Sequence, residues 1–257
     1  MNAIVHDVDA QLYRGDTMTQ PSTLDASGQL RRFDLVTTDP RWNQPFPEKV
    51  YRNDQFDRFT AGIPPPEKAD WGWVQHMLAS LAPQGRLVIV FDTGAASRGS
   101  GSDGRDREHR IRKIMVEKDL VEATILLPQN LFYKNAAPGL IVVLNRAKRH
   151  PRELLAVDAS DMFIKGRPKN SLGHDHIERI VQLYREWRAE TGVSAVVTTQ
   201  QVAENDYNLS PARYVAAVSN DDAMTLEEAA ARLREAEVEK AEAERELWKV
   251  LAELGVE

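Results

Sequence analysis

The residues best placed to do chemistry are Asp39-Pro40-Arg41-Trp42. Before them, Phe33 to Thr38 has the β-branched, apolar character of a buried strand. Proline has no backbone N–H and cannot continue a ladder, so Asp39-Pro40 stops that strand. A polar acceptor, a rigid turn and an aromatic ring are thereby set at the carboxyl end of a strand, where open α/β sheets bind ligands. Asp92 closes a second strand, Leu87 to Phe91, and points to the same edge. A pair of carboxylates there would also suit hydrolysis, but nothing in the sequence supplies the metal cluster that a nuclease would want. The six histidines show no metal spacing; His174 and His176, two apart, face different ways on a helix.

A second group is basic. Arg98, Arg105, Arg107, Arg110, Arg112 and Lys113 lie in and after the segment Gly94 to Gly104, which carries four glycines. Such a loop can adjust to a phosphate backbone. Asp103, Asp106 and Glu108 interleave with it and would compensate on a solvated helix start. Lys165, Arg167 and Lys169 form a smaller surface cluster.

These residues need elements to hold them. Gln44 to Pro66 is a long loop rich in proline and aromatic residues, of the kind often used as a lid or binding loop. Asp70 to Ala82 has the stripe of a helix, with Trp73, Met77 and Leu81 on one side. Pro83-Gln84-Gly85 ends it in a turn. Arg86 to Phe91 is near-continuously apolar, the pattern of a strand buried on both faces of a parallel sheet. Asp106 to Asp119 is the next helix; Val121 to Leu127, Gly139 to Asn145 and Leu154 to Val157 are strands. Strands alternating with helices imply βαβ units, hence an α/β fold with a parallel sheet. Val121 to Leu127 and Gly139 to Asn145 lack a full helix between them, so an antiparallel hairpin at the sheet edge is expected. Ile177 to Thr191 is an amphipathic helix. In Thr225 to Leu254, Leu226, Leu233, Lys240, Leu247 and Leu254 recur every seven residues, with Ala229, Ala236, Ala243 and Val250 three further on. That is a coiled-coil-like seam, suited to a partner helix or to folding back on its own domain. The expected divisions are residues 1–165 for the α/β domain, 166–220 for a helical and loop extension, and 221–257 for the terminal helix.

The whole chain sets bounds. It has 257 residues, 42% hydrophobic and 28% charged, ordinary for a soluble globular protein. No apolar run reaches the roughly 18 residues of a membrane span, and the N-terminus does not read as a signal peptide. No cysteine is present, which excludes disulfides and thiolate sites and makes the cytoplasm the default address. A net charge of −6 argues against non-specific coating of nucleic acid, though not against contact through a local basic patch.

Asp39-Pro40-Arg41-Trp42 resembles the catalytic motif of amino-group DNA methyltransferases, in which Asn or Asp is followed by Pro, Pro and an aromatic residue. Arg41 stands in place of the second proline. More pieces extend the likeness, in order, from Gly15 to Tyr214: Gly15-Asp16-Thr17, Trp73-Val74-Gln75-His76-Met77-Leu78, Gly85-Arg86-Leu87-Val88-Ile89-Val90, Arg110-Ile111-Arg112-Lys113, Leu127-Pro128-Gln129-Asn130-Leu131-Phe132-Tyr133 and Asn205-Asp206-Tyr207-Asn208-Leu209-Ser210-Pro211-Ala212-Arg213-Tyr214. Together they resemble the modification subunit of type I restriction–modification systems, an N6-adenine DNA methyltransferase.

That resemblance implies a partial class I methyltransferase (Rossmann-like) sheet with an antiparallel edge hairpin and a long C-terminal coiled-coil-like helix. It implies methyl transfer from S-adenosylmethionine to adenine in DNA. Asp39 and Pro40 would hold the amine and Trp42 would stack on the extruded base. Asp16 would neighbour the cofactor, and Arg98, Arg105, Arg107 and Arg110 would meet DNA. The terminal helix would dock on a specificity subunit, with a restriction subunit reached indirectly. The family's Gly-rich cofactor loop, Phe-x-Gly-x-Gly, has no counterpart here. The expectation is therefore a C-terminal part of such an enzyme, lacking that loop and the N-terminal helical domain, with little cofactor binding on its own. The alternative is a non-catalytic interaction module that docks on a specificity subunit.

Overall fold

The computed structural model describes residue 7, residues 9–101, 106–133 and 135–215, and the four positions Arg234, Lys240, Ala243 and Arg245. The chain divides into two units, Met1–Ala217 and Val218–Glu257.

The first unit is built on a six-stranded mixed sheet. Its strands are β1 (Phe33–Thr38), β2 (Leu81–Asp92), β3 (Val121–Leu126), β4 (Gly139–Asn145), β5 (Glu153–Asp158) and β6 (Ser194–Thr198), in the spatial order β1-β2-β4-β3-β5-β6. β1 runs parallel to β2, and β3 parallel to β5; β4 is antiparallel to both β2 and β3, and β6 to β5. The hairpin of β3 and β4 is antiparallel, as expected, but it is not at the edge. β4 inserts between β2 and β3, and β5 and β6 continue the sheet beyond them. Phe33–Thr38, expected as a buried strand, is instead a sheet-edge strand with Asp34, Leu35 and Thr37 exposed, because it has a neighbour only in β2. The apolar pattern of β2 marked it as buried. It carried no record of which neighbour would bury it.

Alternation along the strands divides the core in two. Leu87, Ile89 and Phe91 of β2 and Leu140, Val142 and Leu144 of β4 share one cluster with α2 (Asp70–Ala79) and α3 (Arg107–Glu117), through Trp71, Val74, Met77, Ile111 and Met115. Val143, Ala123, Ile125, Leu155 and Val157 face the other way, onto Ile180 and Leu183 of α4 (His174–Glu186). A two-residue period on strands packed against helices on both faces produces this division.

Several boundaries differ from the sequence pattern. The helix expected to Ala82 stops at Ala79, and β2 starts at Leu81, ahead of the turn residues. Pairing jumps from Phe33–Leu81 to Leu35–Arg86, so residues 82–85 bulge from the ladder. A Cβ on Gly85 would lie 2.8 Å from Leu81 Cδ1 and 2.9 Å from the Phe33 carbonyl, so this bulge closes only around glycine. The amphipathic helix expected over residues 177–191 is α4, which ends at Glu186; Trp187 follows in the left-handed conformation with φ 52°. The long aromatic loop contains a short helix, α1 (Glu48–Arg52), and its Phe46, Tyr51 and Phe59 are buried with Met18 and Ala69. α5 (Thr199–Glu204) follows β6 directly behind a capping box of Thr198 and Gln201. Among the described residues, no helix is long and apolar enough to cross a membrane.

In the second unit, Arg234, Lys240, Ala243 and Arg245 have helical backbone and are exposed. The rest of the leucine seam from Leu226 to Leu254 lies outside the described residues.

Candidate active site

β1 and β2, being parallel, bring their carboxyl ends to one edge. Thr38, the last residue of β1, pairs with Ile89 of β2. Asp39 to Trp42 then leave the sheet, and Asn43 ties the chain back. Its side-chain Nδ2 donates to Asp92 Oδ2 at 3.0 Å, and its backbone N–H donates to Asp70 Oδ1 at 3.1 Å. Asp92 is the last residue of β2, so both feet of the turn stand on that one strand. Asn43 has φ 51°, a left-handed conformation that asparagine tolerates better than most residues. Asp39 and Arg41 are exposed and Trp42 is half-buried. Among the described residues the side chains of Asp39 and Arg41 have no hydrogen-bond or ion-pair partner.

Trp42 meets Phe132 edge to face, with ring centroids 4.8 Å apart and planes at 68°. Phe132 sits in the connection between β3 and β4. Gly139 opens β4 directly across from Asp92. A Cβ there would lie 2.6 Å from Phe132 Cε2, so the absence of a side chain at residue 139 makes room for the ring that supports Trp42.

Behind the turn lies an ionic cluster. Arg98 Nη1 donates to Asp92 Oδ2 at 2.9 Å, Nη2 donates to Asp70 and to Glu108 Oε1 at 2.8 Å, and Nε donates to Glu108 Oε2 at 2.5 Å. Asp70 opens α2, and Glu108 lies in the first turn of α3; both are almost wholly buried. Burial pushes both carboxyls above the usual range, and Arg98 opposes the shift without cancelling it. Burial would raise Asp92 too, but the Asn43 amide, the Gly94 N–H and Arg98 together hold it below the usual range. Arg98 is itself pushed further up: burial alone would lower it, but the carboxylates of Glu108 and Asp70 prevail.

This places the expected residues plainly. The turn that carries Asp39, Pro40 and Trp42 is tied to Asp92, as the common strand edge predicted. Arg98 does not present its guanidinium to solvent as a phosphate contact would; its donors are taken by three carboxylates. Arg112 of the same basic run is fully buried and spends its donors on the Tyr207 and Ala95 carbonyls and Ser100 Oγ. Burial lowers its pKa to about 10, so it stays charged at neutral pH. Arg107 is partly exposed and donates to Glu48 Oε2 at 3.0 Å; Arg110 is exposed. Arg105 lies outside the described residues. Asp16 is exposed, and its Oδ1 accepts the Met18 N–H at 3.0 Å in a local turn.

From the sequence, Asn43 and Asp70 have no site role, Glu108 reads only as a compensating charge on a solvated helix start, and Phe132 only as part of a longer resembling stretch. Glu108 meets Arg98 ten residues back, the partners of the others lie at least 27 residues away, and nothing local marks them. Asn43 alone offered a hint, as a residue tolerant of φ > 0 just after a rigid turn.

Comparison with known proteins bears on this arrangement. A family model described as N-6 DNA methylase matches residues 1–223. The methylase subunit of the type I restriction enzyme MjaVII of Methanocaldococcus jannaschii is 36% identical over 259 residues, covering 95% of this chain and 42% of that protein. The HindI methylase subunit of Haemophilus influenzae is 29% identical over 274 residues, covering 100% of this chain and 59% of that protein. A crystal structure of the type I restriction–modification methyltransferase subunit of Streptococcus thermophilus superposes with a TM-score of 0.72 at 27% identity, covering 83% of this chain and 45% of that one. The chain thus spans 42–59% of the length of these two curated relatives. With the model matched along most of its length, the chain belongs to the N-6 DNA methylase family.

Proposed function

We propose that this chain carries the amine-holding half of an N6-adenine DNA methyltransferase of the type I restriction–modification kind. The observation that carries the reading is the turn itself. Asp39-Pro40-Arg41-Trp42 stands at the common carboxyl edge of β1 and β2, with an unpartnered carboxylate at one end and a half-buried indole at the other. The Asp39 carboxylate and the Pro40 carbonyl would accept the two N–H bonds of the exocyclic amine. That turns the nitrogen lone pair toward the methyl donor, and Trp42 would stack on the extruded ring. Held in this way, the amine would need no strong base from this chain, since its proton can leave after the transfer. S-adenosylmethionine supplies the methyl group when bound. Asp16, exposed and with one oxygen free of the Met18 N–H, is the contact that this chain offers it.

Arg107 and Arg110, with Arg105, are the cations proposed to meet DNA phosphate. Arg98 contributes by holding the ends of β2, α2 and α3 together beneath them. The leucine seam from Leu226 to Leu254 is proposed to dock on a specificity subunit, through which a restriction subunit is reached. The second reading, a non-catalytic module docking through that helix, would leave the turn without work to do. The test is direct counting of N6-methyladenine in DNA exposed to the protein with its partner subunits and S-adenosylmethionine, for the native chain and for Asp39→Ala.

A further inference from the structure

We infer that Asn43, gripped by Asp92 and through it by Arg98, is a positioning residue that fixes the Asp39–Trp42 turn at the sheet edge. The inference rests on the methyltransferase reading for its chemistry, but on geometry alone for the clamp. Asp39 and Arg41 find no partner within the described residues, so neither holds the turn in place. The chain on one side is fixed by the ladder pair of Thr38 with Ile89. On the other side, beside the contact of Trp42 with Phe132, the polar hold is Asn43, whose Nδ2 reaches Asp92 Oδ2 at 3.0 Å while its N–H reaches Asp70 Oδ1 at 3.1 Å. Those two carboxylates are the ones that Arg98 also binds, together with Glu108.

The clamp therefore links four elements to the turn: β2 through Asp92, α2 through Asp70, α3 through Glu108 and the segment after β2 through Arg98. Asn43 is exposed, but a hydrogen bond to an ionised acceptor is among the stronger kinds. Asp92 carries charge at neutral pH, because the same Asn43 amide and Arg98 help to hold it ionised against its burial. Asn43 also adopts φ 51°, which an ordinary residue resists, so the strain is sustained by the two hydrogen bonds it makes. Losing the clamp would free the acceptor and the ring to move relative to one another. Displacements of about 1 Å at a reacting centre can cost roughly a hundredfold in rate.

The experiment uses the 257-residue chain labelled with 5-fluorotryptophan. The five tryptophans give separate fluorine signals, and Trp42→Phe identifies that of Trp42. Asn43→Gly keeps the left-handed backbone without strain and removes only the amide. The expected result is a shifted or sharpened Trp42 signal, unchanged signals for the other tryptophans and an unchanged melting temperature. Asn43→Asp, which keeps the shape of the side chain but puts an acceptor where the amide donates to Asp92 Oδ2, should move the Trp42 signal as Asn43→Gly does. In methyl transfer, Asn43→Gly should lower kcat roughly tenfold or more while KM for DNA stays within about twofold. A Trp42 signal unmoved by Asn43→Gly overturns the inference. So does equal broadening of all five signals with a collapsed melting temperature, which would make Asn43 a general fold residue. If the Trp42 signal moves as expected but the native protein makes no N6-methyladenine, the clamp stands and the methylation reading falls.

Discussion

Trp42 shows how one ring can be both fixed and available. Phe132 meets it edge-on, and part of the indole stays exposed. An aromatic side chain held in that way can take a second flat ring. Stacking of a base on such a side chain is worth roughly 1–3 kcal/mol. Trp42→Ala should therefore lower methyl transfer about ten- to a hundredfold, while Trp42→Phe and Trp42→Tyr should keep most of it, as read by initial rates at saturating cofactor. Equal loss with Phe and Ala would show that the indole serves Phe132 and not a base. At this scale the sequence was legible where the chemistry is consecutive. Asp39, Pro40 and Trp42 sit within four residues, and proline announces the turn. Asn43 with Asp92, or Arg98 with Asp70 and Glu108, are assembled by the fold from separate elements. No window along the chain contains them all. The same limit explains Arg98 and Arg112: a run of arginines reads as a basic patch, yet three carboxylates and a set of backbone carbonyls take those two inward.

The elements that hold the site were legible as types, less so as neighbours. β2 declared itself by an unbroken apolar run, and α3 by its amphipathic stripe. The insertion of β4 between β2 and β3 could not be read, since both edges of a buried strand look alike in sequence. α2 also carries a buried titratable group with a measurable consequence. His76 is almost wholly buried; its Nδ1 accepts from Arg58 Nη1 at 3.0 Å, and its Nε2 lies 3.2 Å from Thr17 Oγ1. Arg58 in turn binds Asp54 and the Met18 carbonyl, so this cluster pins the Gly15–Met18 turn that bears Asp16. Burial, and then the Arg58 charge, lower the His76 pKa to about 4. The unfolded chain takes up this proton near pH 6.5, whereas the folded chain resists it until about 4. Stability from this group is therefore whole above pH 6.5 and declines as pH falls toward 4, by about 3 kcal/mol at about 1.4 kcal/mol per pKa unit. Thermal unfolding of the native chain should steepen its decline through that window relative to His76→Gln. Parallel curves for the two would contradict the assignment.

At the scale of the molecule, an acidic chain is proposed to act on a polyanion. With a net charge of −6, the proposed approach to DNA would rest on a local cation patch. The leucine seam is proposed as the surface for a partner subunit. Leucine occupies four of its five leading positions and small residues the positions three further on, and Ala243, one of those small positions, is exposed. Small residues bury little area each, so ordering such a helix needs a partner surface. Leu233→Asp combined with Leu247→Asp should abolish co-purification with a specificity subunit. The circular dichroism and melting of the α/β unit should stay as they are. A double variant that still co-purifies would sink the docking proposal, and one whose α/β unit unfolds would make the helix an internal strut.

The account centres on Asp39 as the acceptor that holds an adenine amine, and one measurement bears on it most directly. N6-methyladenine is counted by mass spectrometry in DNA after incubation with S-adenosylmethionine and the assembled subunits, with native chain or with Asp39→Ala. The native assembly should produce the modified base, and Asp39→Ala should reduce it at least a hundredfold, as expected when a group that orients the reacting atom is removed. Unaltered yield from Asp39→Ala, or no modified base from the native assembly, would contradict the account.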